Sequence, residues 1–170
     1  MKGADESVLG VDAALRATGV GLIERAGPAW RAVHFAVIRN PPAYPHSRAL
    51  AHLYAEMYAL LKERAPGAVA IEGGFFCRNV RTAITLGQAR GVVLAAASAA
   101  GIPVYEYAPR AVKQAVVGTG SARKEQVALM VRALMKLTVR PPEDAADALA
   151  IALCHAQAHV RRATGSLRPI

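Results

Sequence analysis

The sequence predicts a mixed α/β fold, in which a five-stranded sheet is flanked by helices. Three strand-like runs come first, and shorter apolar runs then alternate with helical segments, which is typical of a mixed sheet rather than a fully parallel one. The chain has 170 residues, of which 54% are hydrophobic. This length can close one α/β core but is short for two, so we expect a single domain over residues 1–170.

The first three strands are predicted from short apolar or alternating runs. Val8 to Asp12 is an apolar run that ends in an aspartate, and Thr18 to Glu24 follows after a turn-like AALRA segment. Trp30 to Arg39 alternates loosely between apolar and polar residues and contains several β-branched residues, which favour strands. Asn40-Pro41-Pro42 ends this third strand, because proline cannot donate to a strand ladder.

The middle of the chain alternates between helix and strand. From Ser47 to Arg64, apolar residues recur at helical spacing, which indicates an amphipathic helix. Ala68 to Ile71 is a buried strand that stops at Glu72. Pro103 to Tyr107 gives the fifth strand, and Arg110 to Val117 a short helix.

The segment from Thr82 to Ala100 is rich in Ala, Val and Leu, and its second half has almost no polar face. A helix that is apolar all round must be covered all round. One side can lie on the sheet, but a chain of this length leaves little protein for the other side. We therefore expect a second copy of the chain to cover it.

Two helices and a tail complete the chain. Ser121 is a plausible N-cap for the first helix. Four apolar residues are predicted to share one face of that helix: Val127, Met130, Val131 and Leu134. The last helix begins near Pro142-Glu143-Asp144, where acidic residues suit the positive end of the helix dipole, and runs to about Ala158. The tail from Arg161, covering 161–170, is basic and expected to be loose.

Charge and composition favour a polyanionic partner in the cytoplasm. The formal net charge is +9 and the pI is near 10.2, which favours nucleic acid as the partner. Composition alone does not distinguish such a protein from a soluble basic protein that binds no polyanion. Cys77 and Cys154 lack the spacing of a zinc site. The amino terminus lacks a secretory pattern, and the stretch from Gly91 to Pro103 is too short to span a membrane.

Four acids lie at the ends of apolar strands or in an apolar helix, where burial of a carboxylate is unfavourable unless a positive charge or hydrogen bonds compensate it. Asp12 and Glu72 each end an apolar strand, and the spacing of three puts Asp144 and Asp147 on one helix face. Each acid taken alone is more often a turn cap, a solvated edge residue or a helix cap. Together they suggest one site for Mg²⁺ or Mn²⁺, which prefers hard oxygen ligands.

Four sequence blocks resemble, in order, those of the RuvC family of Holliday-junction resolvases. They are LGVDAALRATGVGLIE, IEGGFFCRNVRTAITLGQARG, VYEYAPRAVKQAVVGTGSARKEQVALMV and DAADALAIALCH, and they span Leu9 to His155. The resemblance implies a ribonuclease-H-like fold and a homodimer. It also implies that the four acids bind metal: Asp12, Glu72, Asp144 and Asp147. One departure is that Ala13-Ala14 follows the first aspartate, where the family usually has Pro-Gly.

The resemblance also assigns DNA contacts. The glycine-led loop after Glu72 carries two aromatic and two basic residues that would wedge into a junction centre: Phe75, Phe76, Arg78 and Arg81. Adjacent phenylalanines are otherwise more often core. Lys113 and Lys124 flank the VVGTGS loop and are expected near the cleaved phosphate.

The resulting hypothesis is metal-dependent nicking of a four-way DNA junction, with about two Mg²⁺ or Mn²⁺ ions per site. By resemblance, the RuvA and RuvB branch-migration proteins are expected partners. Two alternatives stay open: a ribonuclease-H-like nuclease acting on RNA or hybrids, and a non-catalytic module that binds branched DNA. The roles of Gln88, Arg90 and His155 also stay open.

Overall fold

The computed structural model describes residues 6–73, 79–161 and 168–170. The elements follow one another along the chain as β1 Ser7–Asp12, β2 Ala17–Ala26, β3 Ala29–Arg39, α1 His46–Arg64, β4 Ala68–Glu72, α2 Val80–Ala99, β5 Val104–Tyr107, α3 Pro109–Val117, α4 Lys124–Leu134 and α5 Glu143–Arg161.

The strands form one mixed sheet in the order β3-β2-β1-β4-β5. β1, β2 and β3 form an antiparallel meander, whereas β4 runs parallel to β1 and β5 runs parallel to β4. The parallel pairs arise because α1 and α2 return the chain between strands. The predicted mixed five-stranded sheet is therefore confirmed.

Helices cover both faces of the sheet. Side chains of successive strand residues point to opposite faces, so Val8 belongs to one core cluster and Leu9 to the other. The cluster on the Val8 side contains α5, α3 and α4, and the cluster on the Leu9 side contains α1 and α2. The layer that matters most for function is α5, because it carries two of the four predicted site acids.

Glycines in β1 and β2 allow α5 to lie directly on the sheet. A β carbon at Gly10 would overlap the backbone of Ala148, and one at Gly19 would overlap the backbone of Asp144. A side chain at either strand position would therefore push the helix away from the sheet. These glycines set the height at which the acids of α5 stand above β1.

The predicted elements agree with the structure to within about three residues at their ends. The start of α4 lies two residues later than predicted, because Arg123 occupies its N-cap and Ser121 does not. The side-chain oxygen of Gln126 accepts a 2.8 Å hydrogen bond from the Arg123 backbone N–H. Ser121 Oγ lies 3.0 Å from Thr119 Oγ1 instead, so the prediction of Ser121 as the cap was wrong.

The predicted apolar face of α4 was only partly right. Val127 and Val131 are buried, but the side chains of Met130 and Leu134 are 37% and 46% exposed. Only a narrow stripe of this helix contacts the core. Apolar residues beside that stripe remain at the surface.

α2 packs on the sheet and on α1 through one side only. Ala89, Val93, Ala96 and Ala97 are buried. On the other side the first half of the helix exposes Val80 at 72% and Ile84 at 57%. These two apolar residues lie in the first half of the helix, whereas the exposed residues of the second half, which the sequence indicated as apolar all round, are small: Gly91, Ala95, Ser98 and Ala99.

The carboxyl end of the chain returns to the sheet edge, where the Ile170 N–H donates to the Val104 carbonyl at 2.9 Å. Most of the predicted loose tail lies outside the described residues. None of the helices in the described ranges combines the length and the apolar character that crossing a membrane requires.

Candidate active site

Parallel pairing brings Asp12 and Glu72 to the same edge of the sheet. Val11 of β1 lies opposite Ile71 of β4, and each is followed by an acid that ends its strand. The strand interiors are fully buried, whereas both acids are partly exposed. The two carboxylates therefore project from the end of a rigid, apolar base.

The start of α5 brings the other two acids to this edge. Asp12 pairs with Gly19 across the β1–β2 ladder, and Gly19 lies directly beneath the Asp144 backbone. Asp147 stands almost one helical turn further along. The close contact between Gly19 and α5 is thus what places the helix acids above Asp12.

Three of the four acids line one cavity of about 120 Å³. Asp12, Glu72 and Asp147 share its wall with two cations, Lys113 and Lys124. The remaining wall is apolar and comes from α3, α4 and α5: Pro109, Val112, Val127, Ala150 and Ile151. Charged groups therefore meet in a small space with a low-dielectric lining.

Asp144 does not line this cavity, but its charge acts on it. The negative charge of Asp144 is one of those that raise the pKa of Asp12. As the side chains stand, no three His, Cys, Asp or Glu residues within the described ranges are close enough together to hold a metal ion. Mutual repulsion among ionised carboxylates favours such a separation.

Burial and repulsion both disfavour ionised acids here. Burial raises the pKa of Asp12 to about 7, and the charges of Asp147, Glu72 and Asp144 act in the same direction, whereas Lys124 opposes them. Burial is also the main cause that raises the pKa of Glu72 and of Asp147. The carboxylates thus lack enough compensating positive charge from the protein itself.

Lys124 supplies part of that compensation. Its ammonium nitrogen lies 3.2 Å from Asp147 Oδ2 and 3.6 Å from Glu143 Oε1. The nearby Asp147 charge is the main cause that raises the pKa of Lys124. The lysine is therefore held positively charged beside the acids.

The donor chemistry of this cavity fits a hard divalent cation. Carboxylate oxygens are the ligands that Mg²⁺ and Mn²⁺ prefer. A bound cation would lower the pKa values of Asp12, Glu72 and Asp147, because it favours their ionised forms. The raised pKa values and the oxygen-only acid set thus both fit a divalent cation.

The turn after Asp12 is held by two buried polar residues. Thr18 Oγ1 donates to the Ala14 carbonyl at 2.6 Å, and Asn40 Nδ2 donates to the Leu15 carbonyl at 2.6 Å. The Asn40 backbone N–H donates to the Arg16 carbonyl at 3.0 Å. Three consecutive carbonyls are therefore bonded, which gives this turn a defined geometry without the Pro-Gly pair of the family pattern.

Asn40 connects this turn to α1 as well. Its Nδ2 also donates to the Ala49 carbonyl at 2.9 Å, and its Oδ1 lies 2.8 Å from His52 Nδ1. Sequence reasoning treated Asn40 only as the end of a strand. Its partners are distant along the chain, so only the three-dimensional structure shows this role.

The predicted DNA-contact residues are only partly described. Lys113 and Lys124 both line the acid cavity. Arg81 is exposed in the first turn of α2. Phe75, Phe76 and Arg78 lie outside the described residues.

The structure gives partners to the three residues whose roles were open. Gln88 Oε1 lies 2.7 Å from His46 Nε2, so it joins α2 to the start of α1. Arg90 forms an ion pair with Glu106. His155 is fully buried, and its Nδ1 lies 2.7 Å from the Tyr107 hydroxyl. In each case the contact joins two elements of the fold.

Comparison with protein families gives one matching model over most of the chain. The model is described as crossover junction endodeoxyribonuclease RuvC, and it matches residues 8–155. A relative of that name from Desulfitobacterium hafniense (strain DSM 10664 / DCB-2) is 52% identical over 150 residues, which cover 88% of this chain and 91% of the relative. Another from Chloroflexus aggregans is 49% identical over 149 residues, covering 87% and 91%.

Solved structures give the same similarity. A structure described as T. thermophilus RuvC in complex with Holliday junction substrate has a TM-score of 0.88 and 40% identity, and the match covers 97% of this chain and 99% of the other. The yeast mitochondrial Holliday junction resolvase Ydc2 has a TM-score of 0.67 at 12% identity, covering 92% and 82%. This second likeness extends to the fold alone.

Proposed function

The chain belongs to the RuvC family of crossover junction endodeoxyribonucleases, and we propose that it cuts four-way DNA junctions with divalent cations held by four acids: Asp12, Glu72, Asp144 and Asp147. Family membership makes the chain a metal-dependent nuclease with a ribonuclease-H-like fold. The assignment of individual residues, the metal and the number of ions are our proposal. The observation that carries it is the cavity shared by Asp12, Glu72 and Asp147.

The acids would hold Mg²⁺ or Mn²⁺, two ions per site. Asp12, Glu72 and Asp147 stand nearest the cavity, and Asp144 lies within electrostatic range of Asp12. When bound, such ions neutralise charge on the scissile phosphate and lower the pKa of the attacking water. The rigid strand ends beneath Asp12 and Glu72 fix the positions of two of these ligands.

The cations of the cavity would act on the phosphate directly. Lys124 is already held beside Asp147, and a ligated Asp147 would leave the ammonium free to face the substrate. Lys113 lines the same wall. Positive charge placed where negative charge develops in the transition state lowers the barrier. The net charge of +9 would draw the DNA to the protein.

We also propose a two-fold dimer formed through α2. Its uncovered side exposes Val80 and Ile84, and further along it carries Gly87 and Gly91, where an added β carbon would meet nothing within 4 Å. Small residues on an exposed helix face let a second backbone approach closely. A two-fold dimer would present two cavities to a substrate in which two strands are cut symmetrically.

The resemblance to the family motivates a proposal about two further partners. We propose that the RuvA and RuvB branch-migration proteins act together with this chain on the same junction. Faster resolution of a movable junction on addition of both proteins would support the partnership. An unchanged rate would count against it.

The nuclease proposal is tested by incubating the purified protein with a synthetic four-way junction, a linear duplex and an RNA–DNA hybrid. We expect paired nicks in the junction with Mg²⁺ or Mn²⁺ and none with EDTA. Preferential cleavage of the hybrid would indicate a different nuclease. Junction binding that is unaffected by EDTA, without nicking under any metal, would indicate a non-catalytic binding module.

A further inference from the structure

A second cavity opens beside the acid cavity. It is a groove of about 330 Å³ between α4 and the start of α5. Lys124 and Asp147 line both cavities, so the ion pair between them forms the partition. Whatever occupies the groove lies directly next to the proposed position of the scissile phosphate.

The charge of the groove argues against a phosphate as its occupant. Three cationic side chains line it, Lys124, Arg132 and Arg140, and three acidic ones balance them: Glu125, Glu143 and Asp147. A phosphate would face as many negative groups as positive ones. A neutral group with polar edges suits this lining better.

The apolar part of the lining suits a flat ring. Leu129 is 68% exposed and contributes to the groove, whereas Pro141 and Ala146, on the opposite side, are buried. An exposed leucine of this kind adds nothing to the core, but it gives a base a surface to lie on. The volume also falls within the range of small-molecule sites.

Arg132 adds a second planar group. Its Nε donates to the Leu137 carbonyl at 3.3 Å, which restrains the guanidinium at the end of the groove. Guanidinium planes stack on unpaired bases and can also bond to their edges. The groove thus combines an apolar side with a polar end.

We propose that this groove receives the unstacked base of a nucleotide next to the scissile phosphate. The inference rests on the proposed function, because it takes the acid cavity as the site of cleavage. Its consequence is that α4 reads or stabilises one nucleotide beside the cut. Base contacts of this kind distinguish a distorted junction strand from an intact duplex, in which bases remain stacked.

The test combines a protein change with a substrate change. Leu129→Ala removes the exposed apolar contact, and Leu134→Ala is a matched control on the same helix, outside the groove. Once the cut site of the unaltered protein is mapped, junctions are made with one abasic nucleotide at each of the two positions on either side of the cut. Single-turnover nicking rates are measured for every combination.

We expect Leu129→Ala to slow nicking of the intact junction by about 5- to 20-fold, the order of loss expected when a leucine gives up part of its apolar contact with a base. At one position, loss of the base should slow the unaltered protein at least as much, because the base also loses its contact with Arg132, and the two changes together should be no slower than the abasic change alone. Leu134→Ala should behave as the unaltered protein does.

The groove assignment would be overturned if the rate losses caused by Leu129→Ala and by the abasic nucleotide multiplied at every abasic position. It would also be overturned if Leu129→Ala caused no loss of rate. Ala128→Phe provides a second arm, because a ring from the protein would fill the groove and make the rate insensitive to the same abasic position. If the unaltered protein fails to nick an intact junction, the proposed function itself is wrong. If the protein is active but the two rate losses multiply, only the groove assignment is wrong.

Discussion

The ammonium nitrogen of Lys124 lies 3.2 Å from Oδ2 of Asp147. The lysine side chain is 66% exposed and the aspartate side chain 25%, so the pair stands at the boundary between the acid cavity and solvent. A lysine in this position compensates an acid when no cation is bound. When a cation is bound, the same lysine is placed to contact a phosphate.

Lys124→Ala should lower the single-turnover nicking rate on a four-way junction by about 10²-fold, because one preorganised positive charge near the reacting phosphate is worth roughly that much. Lys124→Arg should retain more activity, since it keeps the charge. Lys136→Ala, which removes an exposed lysine beyond α4, is the control. A Lys124→Ala rate within twofold of the unaltered protein would remove this residue from the reaction.

The stability of the metal-free protein should depend on pH through Asp12. Its pKa is raised from 3.8 to about 7 in the fold, so the folded state binds a proton more tightly than the unfolded state between these values. The associated stability is fully present below pH 3.8 and is lost as the pH rises through 7. The loss is at most on the order of 4 kcal/mol.

Asp12→Asn should remove this contribution. The unfolding free energy is measured by urea unfolding in EDTA at pH 5 and at pH 7.5. It should fall between these two pH values by a larger amount in the unaltered protein than in the variant. The raised pKa values of Glu72 and Asp147 act in the same direction and persist in the variant. An equal decrease in unfolding free energy in the two proteins would show that ionisation of Asp12 does not destabilise the fold.

Gly19→Ala should separate the acids of α5 from Asp12. The added β carbon would overlap the Asp144 carbonyl oxygen, so the start of the helix must shift. A misplacement of about 1 Å in an active site can cost about 10²-fold in rate. Nicking rates and unfolding free energies should be measured together.

Gly21→Ala is the matched comparison, because its nearest obstruction is the side chain of Leu149. We expect both variants to lose stability, by roughly 1–3 kcal/mol for Gly21→Ala and by more for Gly19→Ala, because a side chain yields to an added methyl group more readily than a backbone does. The loss of activity should be much larger for Gly19→Ala. Equal losses of activity would contradict the role assigned to the contact between Gly19 and Asp144.

The α2 face should control the oligomeric state. Gly91→Glu introduces a large charged side chain at a position with open space in the single chain, so it should block close approach of a second copy. Light scattering should give about twice the chain mass of 17.9 kDa for the unaltered protein and the single-chain mass for the variant. Ala55→Glu on the exposed side of α1 should leave the dimer intact. A dimeric Gly91→Glu variant would place the interface elsewhere.

Much of this architecture could be predicted because it depends on local patterns. Asp12 and Glu72 stand out since each ends an apolar strand, and the spacing of Asp144 and Asp147 identifies a common helix face. The strands and helices follow from periodicity for the same reason. In such cases the relevant information lies within a few consecutive residues.

Other features depend on residues that are distant in sequence. Nothing near Asn40 indicates that it bonds Leu15 and Ala49, and nothing near Glu106 indicates Arg90 as its partner. The N-cap of α4 was misassigned because Ser121 has a suitable side chain, yet the Gln126 side chain bonds the backbone at Arg123. Which residue caps a helix, and which side chains pair, depends on contacts that compete with one another in the folded chain.

The most direct test of the central claim is the activity of Asp12→Asn on a synthetic four-way junction with Mg²⁺ or Mn²⁺. The substitution is nearly isosteric and removes one anionic ligand from the acid cavity. We predict junction binding within a few-fold of the unaltered protein, measured by gel shift, and no detectable nicking. Nicking by the variant at the rate of the unaltered protein would contradict the claim that these acids hold the cations of the reaction.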